Sequence, residues 1–341
     1  MAIYARSMSR RLFPSNPSGA RSNNLPPELL DIIISHLDFP TTKAIRLVNR
    51  ILCFCATPYV FSEIILFLEK RKSCKTFKSI IAHPELKGRV RKVRVNIARE
   101  EKKPEVEIFY ASMLKEVWLK PTMESLENLS LYSNLYWGFY PHFDLESMRF
   151  PNLKSLTLGK FVFFEDYQFI WILRHYRKLE ELNFDRCSIL ARMRTLNDVE
   201  HLSRCPISTD YMTFHEDEDF DNSAWYWSYE RRWSNYFAAL EKGLPRLRHF
   251  AFGESKPDQW SELPFENESD IQVGLMVDRY LAFDSGSKNL FMTVHDMTYP
   301  SESYWPSCVN DDREALMSLY IKIGQRPKWW AMEKWVKEQW K

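Results

Sequence analysis

The sequence predicts an α/β protein: a small all-helical module followed by a solenoid of stacked parallel strands. Two observations predict it. Apolar residues near the start recur at helical spacing. Further on, a triplet of apolar residues returns at intervals of 26 and 27 residues, the period of a repeat rather than of a single sheet. A chain of 341 residues exceeds what one compact core usually needs, so a small and a larger domain are expected.

The segment from Leu25 opens with Pro26 and Pro27, tolerable where the first helical amides need no partner, and sets Glu28 and Asp31 near the positive helix end. Leu29, Leu30, Ile33 and Leu37 form one apolar stripe, and Asp38-Phe39-Pro40 is expected to end the helix. Thr41 or Thr42 is expected to cap a second helix through Ala44, Ile45, Leu47, Val48, Ile51 and Leu52. Pro58 should close that helix or its successor, and a third apolar stretch runs from Tyr59 to Phe67. So short a module, drawn as residues 25–68, hides little of its own surface. Its unsatisfied apolar side chains should meet the following domain or a partner protein; the plainer reading is a helical cap with no partner.

The string Leu25 to Ile64 resembles an F-box of the form common in filamentous fungi. Leu25-Pro26, Glu28-Leu29, Ile33, Leu37, Leu47-Val48, Asn49-Arg50, Pro58 and Phe61 carry the resemblance, which covers about 40 of the 341 residues. It implies binding to a Skp1-like adaptor and, through it, to a cullin ubiquitin ligase, while the domain beyond selects a protein substrate. Leu25, Pro26, Leu29, Ile33, Leu37 and Val48 would supply or support the adaptor-facing surface. Many F-boxes carry a Trp shortly after the Arg, where this chain has Ile51, Leu52, Cys53 and Phe54.

Beyond residue 75, apolar residues stand at offsets 0, 3 and 5 in Val90/Val93/Val95, Leu126/Leu129/Leu131, Leu153/Leu156/Leu158, Leu179/Leu182/Phe184 and Leu247/Phe250/Phe252. This is the L-x-x-L-x-L frame of leucine-rich repeats. Offsets 3 and 5 share one side of a strand, and offset 0 turns in from the preceding corner. The fold class is therefore α/β, an F-box-like helical module followed by an irregular leucine-rich-repeat solenoid with parallel strands, assigned to residues 75–341. The competing reading is a set of unrelated triplets in an ordinary α/β protein. Cys187 follows Phe184 at the distance where the fullest repeat pattern places Asn or Cys. Residues from Tyr167 to Leu179 read as a helix covering the convex side with Ile170, Trp171 and Leu173. The last interval, from Leu179 to Leu247, is 68 residues, room for one or two degenerate units or an insertion near 205–240.

Side chains between the buried ones should face a binding surface, as in other solenoids. They mix both signs and suit a protein ligand better than a phosphate backbone. Substrate-binding candidates are Arg91, Arg94, Glu127, Lys154, Glu181 and Arg248, joined by Trp225 and Trp227. Those two rings follow the acidic run His215 to Asp221, which could grip a basic segment beside them or serve only as a solvated loop. Asp311 to Ile323 is expected to be a helix, and a basic, Trp-bearing terminal helix through Lys341 to cap the last repeat.

A formal charge of +2 gives no default attraction to nucleic acid, and no run has the length and uniform apolarity of a membrane span. Six scattered cysteines exclude a disulfide scaffold, and the start lacks a secretory core; cytoplasm or nucleus is the expected compartment. Residues 1–24, basic and without acids, read as a disordered leader. With no phosphate-binding loop, zinc helix or nucleophile elbow, the expectation is a non-catalytic protein without cofactor or metal.

Overall fold

A computed structural model describes residues 25–67, 71–97, 109–175, 177–216, 223–254, 272–293 and 306–325. The expected leader, most of the acidic run and the terminal Trp-bearing helix lie outside the described residues. The chain divides into two compact units, Met1–Val60 and Phe61–Lys341.

The first unit holds α1 (Pro27–Ser35), α2 (Phe39–Ile45) and α3 (Arg50–Val60). The single helix expected from Thr41 to Leu52 is two, because each side of the turn has its own cap. Asp38 Oδ1 accepts the amide of Thr41 at 2.8 Å and starts α2, while Asn49 Oδ1 accepts that of Leu52 at 2.9 Å and starts α3. The first helix does end ahead of Asp38-Phe39-Pro40, and the same segment begins the next one. Pro58 lies inside α3 and not at its boundary; lacking an amide hydrogen, it gives up the bond that position would make to the Phe54 carbonyl, and the helix continues only two residues beyond it. The three helices close on a small core of Ile34, Cys55 and Ala56, with Leu30, Leu37, Ile45, Leu52 and Tyr59 packed around it.

The second unit is mixed α/β. Its strands are β1 (Glu63–Phe67), β2 (Lys92–Ile97), β3 (Asn128–Ser133), β4 (Ser155–Gly159), β5 (Val162–Phe163), β6 (Glu181–Asp185), β7 (Ser188–Leu196), β8 (Thr213–His215), β9 (Ala224–Ser228), β10 (His249–Glu254), β11 (Gln272–Val273), β12 (Tyr280–Asp284) and β13 (Phe291–Met292). Its helices are α4 (Arg71–Ile81), α5 (Pro84–Lys87), α6 (Phe109–Leu119, wound as a π-helix), α7 (Asp166–Leu173), α8 (Val199–Arg204), α9 (Trp233–Gly243) and α10 (Val309–Lys322).

The main sheet runs β1-β2-β3-β4-β6-β10-β11, with its first six strands parallel and β11 antiparallel. All five apolar triplets enter it in one register. Val93, Leu129, Leu156, Leu182 and Phe250 stand side by side, as do Val95, Leu131, Leu158, Phe184 and Phe252. These residues are buried in one continuous core with Phe77 of α4, Trp118 of α6, Trp171 of α7, Phe237 of α9 and Leu316 of α10. Helices thus cover one face of the sheet, as period-two strands with one apolar side require. In α7, however, Ile170 is exposed and Phe169 takes the inward position beside Trp171 and Ile172.

β1 continues the same frame. Phe61, Ile64 and Leu66 repeat the offsets 0, 3 and 5, and Ile64 and Leu66 pair with Val93 and Val95. Residues 63–67, placed by sequence in the helical module ending at 68, form the first strand of the sheet instead.

The 68-residue interval hides no missed strand of the main sheet, because β6 pairs directly with β10. Within it the chain leaves to form β7, β8 and β9 of a second sheet, β13-β12-β7-β9-β8, to which β5 before the interval and β12 and β13 after it also contribute. That excursion starts at β7, earlier than the expected 205–240. Lys160 and Arg186, with φ of 55° and 51°, turn the chain out of β4 and β6, and both stand two residues past the last core position of their triplets. Cys187 is buried, and its Sγ donates to the Leu158 carbonyl at 3.1 Å, tying one strand end to the previous one. The helix expected at Asp311–Ile323 is α10.

Candidate protein-binding surfaces

Two surfaces bring together exposed side chains that the folds behind them do not use. The first is on the helical unit. Once Ile34, Cys55 and Ala56 have filled its core, Leu25, Leu29, Ile32, Ile33, Phe39, Leu47, Val48, Ile51 and Phe54 remain exposed, with Leu47 at 84%, Phe54 at 73% and Val48 at 68%. Single exposed leucines need no explanation, but nine large apolar residues among the described part of one small unit do. Of the six expected adaptor-facing residues, Leu25, Pro26, Leu29, Ile33 and Val48 are exposed and Leu37 packs on the internal core. The stripe read from sequence therefore splits. Leu30 and Leu37 turn inward with Ile34, and Leu29 and Ile33 remain outside.

The second lies on the main sheet, along the ends where strands begin and over the strand positions that alternate with the apolar rows. Arg91, Glu127, Lys154, Glu180 and Arg248 form one row, each amide donating to the carbonyl of the residue before it in the row at 2.7 or 2.8 Å. Their charges alternate across the sheet. Glu127 meets Arg91 at 3.5 Å and Lys154 at 2.7 Å, with all three side chains partly exposed. Behind this row Glu63, Lys92, Asn128, Ser155, Glu181 and His249 stand in register, followed by Ile65, Arg94, Ser130, Thr157, Asn183 and Ala251. Glu63 reaches Arg94 at 3.8 Å.

The middle of this face differs from expectation. Ser130, Ser155, Thr157, Asn183 and Ala251 are buried, not solvated. Asn183 donates to Thr157 Oγ1 at 3.2 Å, and its Oδ1 has no partner among the described residues. Accessible charge accordingly lies in the row of strand starts, at Glu181 beside it, and on the outer strands.

Trp225 and Trp227 lie on β9 in the second sheet, apart from the main-sheet candidates. Trp225 tilts against Phe214 at 5.0 Å and donates to Asn197 Oδ1 at 2.9 Å. Trp227 stacks on Tyr229, centroids 5.6 Å apart and planes within 13°. Trp227 and Tyr229, but not Trp225, line a cleft of about 530 Å³ with Phe164, Glu165, Tyr211 and Glu230. Glu165 and Tyr211 were not legible as site residues, since neither belongs to a motif and Glu165 lies 62 positions before Trp227.

Among the described residues no cluster of His, Cys, Asp or Glu is arranged to hold a metal, and no helix is long and apolar enough to cross a membrane. Comparison of the chain with protein-family models and with curated proteins gave no match.

Proposed function

We propose that this chain is the substrate-receptor subunit of a Skp1-cullin-F-box ubiquitin ligase. In this reading the N-terminal helices are an F-box that docks on the adaptor, and the second unit is an irregular leucine-rich-repeat solenoid that holds a protein substrate. The exposed apolar face of the helical unit carries the reading. A three-helix unit that folds around Ile34, Cys55 and Ala56 yet leaves Leu47, Val48 and Phe54 in water is built to be covered by another protein. The solenoid reading is supported by the shared register of six triplets, counting Phe61/Ile64/Leu66, on consecutive parallel strands. Its part in the reaction is proximity: it holds a target beside the transfer machinery and performs no covalent step itself.

The test is co-purification of a Skp1-like adaptor with the full chain and with the triple variant Leu25→Ala, Pro26→Ala, Leu29→Ala. Adaptor should be retained by the parent and lost by the variant, with both equally folded. A folded parent that retains no adaptor would leave a repeat scaffold without ligase association as the better description.

A further inference from the structure

We propose that the cleft between the start of α7 and the end of β9 captures a lysine or arginine side chain presented by a protein segment. This deepens the substrate-capture half of the reading above and rests on it. Three features of the cleft point to a cation. The first is its wall: Trp227 and Tyr229 supply a stacked aromatic surface, and Tyr211, 77% exposed, stands at the mouth. Aromatic faces attract ammonium and guanidinium groups through the ring quadrupole and cover their aliphatic stems.

The second is the charge count. Glu165, Asp166 and Glu230 line the cleft, against the single cation Arg231. Arg231 is already committed to Asp166, with Nε to Oδ1 at 3.0 Å and Nη2 to Oδ2 at 2.7 Å, while Tyr229 donates to the same Oδ1 at 2.6 Å. Asp166 is thereby neutralised and Tyr229 held in place, which leaves Glu165 and Glu230 to set the sign. The Glu230 side chain is 88% exposed, and its nearest cation, Arg232, is 3.9 Å away.

The third is the state of Glu165. It is half-buried, with no ion-pair partner among the described residues. Burial, reinforced by Glu146 nearby, pushes its carboxyl above the usual range. A half-buried carboxylate facing another negative charge, here at the N-cap of α7, is further stabilised by an incoming cation. An anionic ligand would meet the unpaired Glu165 beside the solvated, loosely paired Glu230, and a purely apolar one would desolvate Glu165 further.

The experiment uses the purified full chain without adaptor, so that it reports on the cleft alone. Fluorescence anisotropy is followed with labelled, otherwise uncharged Gly/Ser/Ala peptides of equal length carrying three lysines, three arginines, three acetyl-lysines or three glutamates. The lysine or arginine peptide should bind at least about tenfold more tightly than the acetylated and glutamate peptides. Glu165→Gln with Glu230→Gln should erase that preference, and Glu230→Lys, at a solvated position that cannot disturb folding, should weaken basic-peptide binding on its own. Equal binding of the basic and acetylated peptides by the parent would overturn the proposal. So would a preference that survives both sets of substitutions, which would place basic-segment binding elsewhere on the chain. Loss of adaptor retention with peptide preference intact would remove the ligase assignment alone.

Discussion

Arg279 and Asp312 form an ion pair inside the second unit, Nε to Oδ2 at 3.0 Å, with the Asp312 side chain wholly removed from solvent. The same carboxylate accepts the amide of Ser234 at 2.9 Å and the Tyr280 hydroxyl at 3.0 and 3.1 Å. Tyr280 Oη in turn accepts the amide of Trp233 at 2.8 Å. One carboxylate thus ties the first turns of α9 and α10 to β12. Asp312→Ala leaves Arg279 buried and uncompensated, and should cost about 3–5 kcal/mol in urea denaturation. A loss below about 1 kcal/mol would mean that water replaces the carboxylate.

His175 makes stability depend on pH. Burial holds its imidazole below its ordinary value of 6.5. Its Nε2 accepts the amide of Phe150 at 3.1 Å, so the neutral ring carries its proton on Nδ1, 3.0 Å from the Trp171 carbonyl. Because folding lowers the pKa, the unfolded chain takes the proton more readily. The stabilisation is complete above the unfolded value and lost as pH falls below it. His142, also held down by burial, acts in the same direction. The melting temperature should fall as pH drops below about 6.5, and His175→Gln should flatten that part of the profile.

Gly159 is fixed by a neighbour rather than by its backbone. A Cβ added there would meet Tyr132 Cδ1 at 2.4 Å, a distance no real packing tolerates. Gly159→Ala should therefore cost about 1–3 kcal/mol by displacing the ring of the adjacent strand. Gly159→Ala combined with Tyr132→Ala should recover part of the loss in thermal melts.

Glu127 bridges two cations, yet its stabilising role is small, because Arg91, Glu127 and Lys154 are all partly solvated. Glu127→Gln should change unfolding free energy by less than about 1 kcal/mol. If the alternating row serves recognition, the same substitution should weaken capture of a substrate far more than it weakens the fold.

The sequence made the repeat frame visible because a packed row permits only apolar residues at offsets 0, 3 and 5, and five instances were enough to reveal the spacing. β1 escaped because its triplet begins at Phe61, inside a stretch that also reads as the tail of a helical module. Periodicity located the stripe on α1 but not its centre. Ile34 is the buried residue, and the stripe's neighbours divide between core and water according to the path of α3, which a single helix cannot disclose. Alternation also misjudged exposure in mid-sheet, where Thr157 and Asn183 are polar but small enough to be enclosed. Glu165 was invisible for a different reason: its setting is created by β9, a strand that reaches it only through the second sheet.

The direct pairing of Leu182 with Phe250 has an architectural meaning. A chain that departs at Arg186, lays down three strands of a second sheet and then resumes the parallel ladder has separated bearing weight from making contact. The rungs must keep their spacing, whereas the detour is anchored through β7, which pairs with β5 and β12, and carries β9 and β8 beyond that anchor. Its tip can be rewritten for a new ligand while the ladder beneath stays as it is.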